Sequence, residues 1–148
     1  MTFHSTFGMS QFILSDDDEG VREELSWTTL SDEPLEYVEN VLLNLGHIAL
    51  DNREPFFAGR LLTQYPLSTH FPSKMTVHTM LTRVGLWLKE DEHLIENHFP
   101  AFILELVGLT DSEVALFAHD EDEFYRRCEA GAIDFLNLGR PEMETSAI

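Results

Sequence analysis

The chain has 148 residues, 27 Asp and Glu against 9 Lys and Arg, and a formal net charge of −18 at pH 7. A surface of that sign repels phosphate backbones and anionic lipid, which argues against direct nucleic-acid or membrane-surface binding. The hydrophobic fraction is an ordinary globular 43%, no apolar run approaches the roughly 20 residues that span a bilayer, and the lone Cys128 excludes an intrachain disulfide or cysteine zinc cluster.

Residues 1–31 read as a hairpin or flexible arm. Gln11-Phe12-Ile13-Leu14, the acidic run Ser15–Gly20 and the alternation Leu25, Trp27, Thr29 resemble two short strands about a Gly-ended loop, the second with a polar opposite face. From Ser31 the period becomes helical, so residues 32–139 are expected to form a helical core and 140–148 a frayed tail. Ser31-Asp32-Glu33-Pro34 is a helix start, and Val38, Val41, Leu42, Leu45, Ile48 and Ala49 make one apolar stripe over about 33–51.

Further helices are expected near 54–64, with Phe57, Leu61 and Leu62 inward, and over 74–89, with Val77, Met80, Leu81, Val84 and Leu88 inward. Pro100 separates a helix near 91–98 from one near 100–107 that Gly108 closes. Thr110-Asp111-Ser112-Glu113 matches a capping box for a helix to about 118. The last helix, about 121–137, buries Phe124, Cys128, Ala132, Phe135 and Leu136 and ends before Gly139-Arg140-Pro141. The expected fold is mainly α: one domain, 1–148, built as a compact array of five to seven helices with a small N-terminal β-hairpin.

The chemistry-bearing patterns are incomplete. Glu90 and His93 form a Glu-x-x-His step, but the second step that a di-iron bundle needs is missing. His119-Asp120 resembles the core of the HD phosphohydrolase pattern, with His78 or His93 and Asp134 as nominal partners. It lies in a charged helix junction, where an acid is better used as a cap. Ser15–Gly20 lacks the Glu that completes a calcium loop, because position 12 would be Ser26. Cys128 sits on an apolar stripe, where a thiol is an inert core group. No Walker A loop, dinucleotide fingerprint or nucleophile elbow is found.

These absences point to a protein without catalysis, cofactor or metal. The leading expectation is an acidic, nucleic-acid-mimicking protein of the cytoplasm. It would bind and block a basic partner protein, as immunity or anti-defence inhibitors do. The field would come from Asp16, Asp17, Asp18 and Glu19, from Glu90, Asp91 and Glu92, and from Asp120, Glu121, Asp122 and Glu123. One alternative is a chaperone or adaptor that holds a partner on an apolar groove. Another is a small metal-dependent helical hydrolase centred on His119 and Asp120. Phe3, Phe7, Phe12, Ile13 and Trp27 are expected to cover one end of the helix array, or, if loosely packed, to form a partner-facing patch ringed by acids.

Overall fold

A computed structural model describes residues 1–14, 21–30, 35–63, 75–84, 94–96 and 99–143. In chain order the elements are strand β1 (Thr2–Ser5), a short 3-10 turn (Met9–Gln11), β2 (Arg22–Thr29) and helix α1 (Leu35–Asn52). Then follow β3 (Thr79–Val84), β4 (Leu94–Glu96), β5 (Phe99–Leu109), α2 (Asp111–His119) and α3 (Glu121–Glu129). The fold is α/β, with a mixed sheet at its centre. The expectation of a mainly-α array of five to seven helices is wrong.

The error lies in the middle of the chain. Phe99–Leu109, most of it expected as the helix near 100–107, is the longest strand among the described residues. A continuous apolar run of this kind suits a strand buried on both faces as well as a helix buried all round, and periodicity does not separate the two. β5 pairs parallel with β2, from Arg22 opposite Ala101 to Trp27 opposite Leu106. On its other edge it pairs antiparallel with β3, Thr79–Val84, and with β4 at Leu94–Glu96. β1 closes the far edge, antiparallel to β2, so the order is β1-β2-β5-β3 with β4 beside β5.

Pro100 is the second residue of β5, opposite Ile95, near a strand end where a missing donor is tolerated. Gly108 is not a helix stop. It lies within β5, where an added Cβ would sit 3.0 Å from Val77 Cγ2. The expected helix near 54–64 does not form over 54–63, which is irregular chain with a turn at Ala58–Gly59. Leu61 bridges to Leu81 and covers the outer edge of β3. The expected helix over 74–89 is instead irregular chain at Met75–His78 followed by β3; its remainder lies outside the described residues.

Side chains alternate across a strand, and the sheet is covered on both faces. Leu25, Trp27, Met80, Leu104 and Leu106 face α1, whose Val38, Val41, Leu42, Leu45 and Ala49 pack on them as the stripe predicts. Leu81, Val107 and Leu109 face the other way, against Leu116 of α2, Phe124 of α3 and Ile133. The face of β2 expected to be solvated is therefore buried too: Ser26 and Thr28 are almost inaccessible.

The capping box forms as its sequence predicts. Thr110 Oγ1 accepts from the Glu113 N–H, and Glu113 Oε2 accepts from the Thr110 N–H. α3 ends at Glu129, not near 137. Gly131 adopts a left-handed φ of 69°, which turns the chain back so that Ile133 is buried while Ala132 is exposed. The described part of the segment expected to fray, residues 140–143, is instead docked. Arg140 is buried, and Glu142 accepts from the Ser112 N–H at 2.9 Å.

Candidate partner-binding surface

Of the three acidic runs expected to form a binding field, Asp16–Glu19 and Glu90–Glu92 lie outside the described residues. The third is partly used in folding. Asp120 caps α3 by accepting from the Glu123 N–H at 2.9 Å. Glu123 pairs with Arg127 and Arg126, whose hydrogen bonds hold its carboxyl below the usual range. Only Glu121 and Asp122 of this run are exposed without such a local role.

His119 is exposed at the end of α2, and His78 and Asp134 are exposed elsewhere. Asp134 Oδ1 accepts from the Leu136 N–H. Among the described residues no group of three His, Cys, Asp or Glu side chains is placed to hold a metal ion. Cys128 is partly buried, and desolvation pushes its thiol up to about 11. It is not an activated nucleophile.

The surface that does stand out is apolar and lies at the N-terminal segment. Thr6 to Ser10 leave β1 and turn over the edge of α1. Gly8 takes a left-handed φ of 95°, a conformation open to glycine at little cost. Glu24 of β2 fixes the turn, with Oε1 accepting from the Gly8 and Ser10 N–H groups at 2.9 Å each. Its Oε2 accepts from the Thr6 hydroxyl, which in turn accepts from the Leu25 N–H at 2.9 Å.

Met9 is buried in the core, and Gly46 of α1 leaves room for its sulfur, 3.6 Å from where a Cβ would lie. With Met9 driven in, Phe7 is driven out and is fully exposed. Phe3, Phe12, Ile13 and Leu43 are exposed as well. Trp27, grouped with these residues on sequence, is instead a core residue edge-on to Tyr37 at 6.2 Å.

A groove of about 540 Å³ runs between this turn and α1, lined by Phe7, Met9 and Phe12 on one side and by Leu42, Leu43 and Leu50 on the other. His4, Glu39 and His47 supply its polar lining. His4 Nε2 is buried and has no hydrogen-bond partner among the described residues. Glu36, one turn before Glu39, is exposed. The surface therefore joins apolar anchors to acidic side chains on one helix. The signals for it in the sequence were Gly8 among aromatic residues and the absence of a helical period there.

No protein-family model matches the chain, and no curated protein matches it. Among solved structures it is similar to the crystal structure of Drosophila Suppressor of Fused, with a TM-score of 0.66 and 15% sequence identity. The match covers 94% of this chain and 38% of that one. At this identity the likeness concerns the fold alone. Among the described residues no helix is long and apolar enough to cross a membrane.

Proposed function

We propose that this chain is a non-enzymatic acidic binding protein that seats on a basic surface of another protein and blocks it. The observation that carries the reading is Phe7, held in full exposure by a turn that Glu24 and Gly8 fix from beneath. An aromatic side chain presented on a rigid support and surrounded by other exposed apolar residues has the character of an interface anchor. The net charge of −18, with Glu36 and Glu39 beside the groove, favours a partner whose apolar pocket is rimmed by Lys and Arg. Charge would accelerate encounter and the phenylalanines would hold the complex, because screening at physiological salt weakens exposed pairs more than buried apolar contact.

The test is association kinetics with a basic partner, first found by crosslinking and then purified. The wild-type on-rate is expected to fall steeply with salt. Neutralising Glu36, Glu39, Glu121 and Asp122 to Gln slows association and flattens that salt dependence. The F7A/F12A variant leaves the on-rate nearly unchanged and raises the off-rate by about tenfold or more. An on-rate indifferent to the four neutralisations sinks the electrostatic reading.

The apolar groove supports a second reading, an adaptor or chaperone that holds an extended partner segment between Phe7 and Leu43. That reading requires binding with weak salt dependence, together with loss of binding in F7A/F12A.

A further inference from the structure

A second cavity, of about 560 Å³, lies on the other side of the sheet, beneath α3 and the segment that follows it. Its floor carries three polar side chains, Thr28, Arg83 and Glu105, whose positions follow from strand register. Ser26 pairs with Glu105 across β2 and β5, and Arg83 of β3 lies directly opposite Glu105. Thr28, two residues beyond Ser26, shares their face.

Arg83 donates from Nε at 3.0 Å and from Nη2 at 2.9 Å, and both bonds fall on Glu105 Oε2. Among the described residues no hydrogen bond reaches Oε1. Thr28 is only 6% exposed, and its hydroxyl is buried without a hydrogen-bond partner among the described residues. Buried polar groups are nearly always satisfied, and an unmet one is costly. The Thr28 hydroxyl is such a group; Glu105 Oε1 is not stranded in the same way, but it is free to accept from a donor in the cavity.

The walls narrow the chemistry. Tyr125 and Phe135 line the cavity, and the Phe135 ring already carries two guanidiniums, Arg83 at 5.3 Å and Arg140 at 5.6 Å, which leaves Tyr125 as the free aromatic wall. Glu129 and Asp134 also line it, so with Glu105 three acids stand against two cationic groups, the Arg83 guanidinium and the α-ammonium of Met1. An anionic ligand is disfavoured by that balance. A cation is favoured by it, and the Tyr125 ring adds attraction for a positive head.

We propose that this cavity binds a small organic cation, a primary ammonium on an apolar stem. The ammonium has three donors and no acceptor, and it donates to Glu105 Oε1 and Thr28 Oγ1. The stem lies against Val107 and Phe135. The volume is in the ordinary range for small-molecule sites. The inference does not depend on the proposed partner-blocking function, because it uses the opposite face of the sheet.

The experiment titrates the full chain with n-hexylammonium, 1-hexanol and hexanoate, three probes of equal stem, followed by NMR and calorimetry. Hexylammonium is expected to bind saturably and to shift the Tyr125 and Phe135 ring signals. Hexanol binds about tenfold more weakly, and hexanoate does not bind. Thr28→Val, which keeps the volume and removes the hydroxyl, weakens hexylammonium about tenfold, and Glu105→Gln weakens it at least as much. Should Glu105→Gln misfold by stranding Arg83, Thr28→Val and the probe series decide the matter. Equal binding of the three probes, shifts that never saturate, or a Thr28→Val variant with wild-type affinity overturns the proposal.

Discussion

Arg140 and Glu113 form the most buried ion pair among the described residues, with side chains 6% and 2% exposed. Arg140 Nε donates to Glu113 Oε1 at 2.8 Å, and Nη2 donates both to Oε2 and to the Gly108 carbonyl. Glu113 is at the same time the acid of the α2 capping box. One guanidinium thus joins the C-terminal segment, the end of β5 and the start of α2.

Breaking this pair from one side leaves a carboxylate buried without its counter-charge. Arg140→Ala is expected to cost about 3–5 kcal/mol, measured by urea unfolding. The double variant R140M/E113Q should recover part of that loss, because it removes both charges and keeps an acceptor for the Thr110 N–H. A loss below about 1 kcal/mol in the single variant would show the segment to be dispensable.

Glu23 has a buried carboxyl, 1% exposed, whose two oxygens accept from the Phe56 N–H at 3.1 Å each. Desolvation pushes it up to about 7, against the opposing pull of that hydrogen bond. A carboxyl raised in the folded state binds its proton more tightly there than in the unfolded chain. Its contribution is therefore full below about pH 4.5 and is lost as pH rises towards about 7, to an extent of about 3 kcal/mol. Relative to wild type, Glu23→Gln should gain stability at about pH 8 but little at about pH 5, read from unfolding curves at both. An equal difference at the two pH values would contradict this.

The Phe7 turn depends on Glu24. Glu24→Ala removes the acceptor for the Gly8 and Ser10 N–H groups, and hydrogen bonds to a charged group are worth about 1.5–3 kcal/mol. Amide exchange at Gly8 and Ser10 should quicken by about tenfold or more. Exchange within α1 should change far less. Unchanged protection at Gly8 would mean that Glu24 does not organise the turn.

Thr110 is fully buried at the start of α2. Thr110→Ala should destabilise the chain by about 1 kcal/mol, and Thr110→Ser should restore most of it, since the hydroxyl is the capping atom. Thermal unfolding of the two variants provides the comparison.

Legibility in the sequence followed the range of the interactions. α1 and α2 were readable because an apolar stripe and a capping box are complete within a few turns of chain. β2 is readable from the alternation Leu25, Trp27, Thr29, but its partner is not: β1 pairs with it, whereas Gln11–Leu14 contributes, among the described residues, one ladder-like bond from the Leu14 N–H to the Val21 carbonyl at 2.9 Å. β3 reads as a helix because Val77, Met80, Leu81 and Val84 satisfy a helical spacing, whereas in the strand Met80 and Leu81 face opposite layers and both are buried. The candidate surface was half legible: Phe3, Phe7, Phe12 and Ile13 were singled out, whereas Trp27 belongs to the core and Leu43 was passed over.

The sequence by itself determined the acidic character of the surface, the lone thiol, α1 and the capped start of α2, because each is a property of composition or of neighbours along the chain. Only the tertiary structure decided that Phe99–Leu109 is a strand, since its apolar side chains are compatible with either geometry until β2 and β3 supply hydrogen bonds on both edges. The tertiary structure alone also paired Arg140 with Glu113 and expelled Phe7 while inserting Met9. These outcomes depend on which distant residues compete for the same buried space, and that competition exists only in the folded chain.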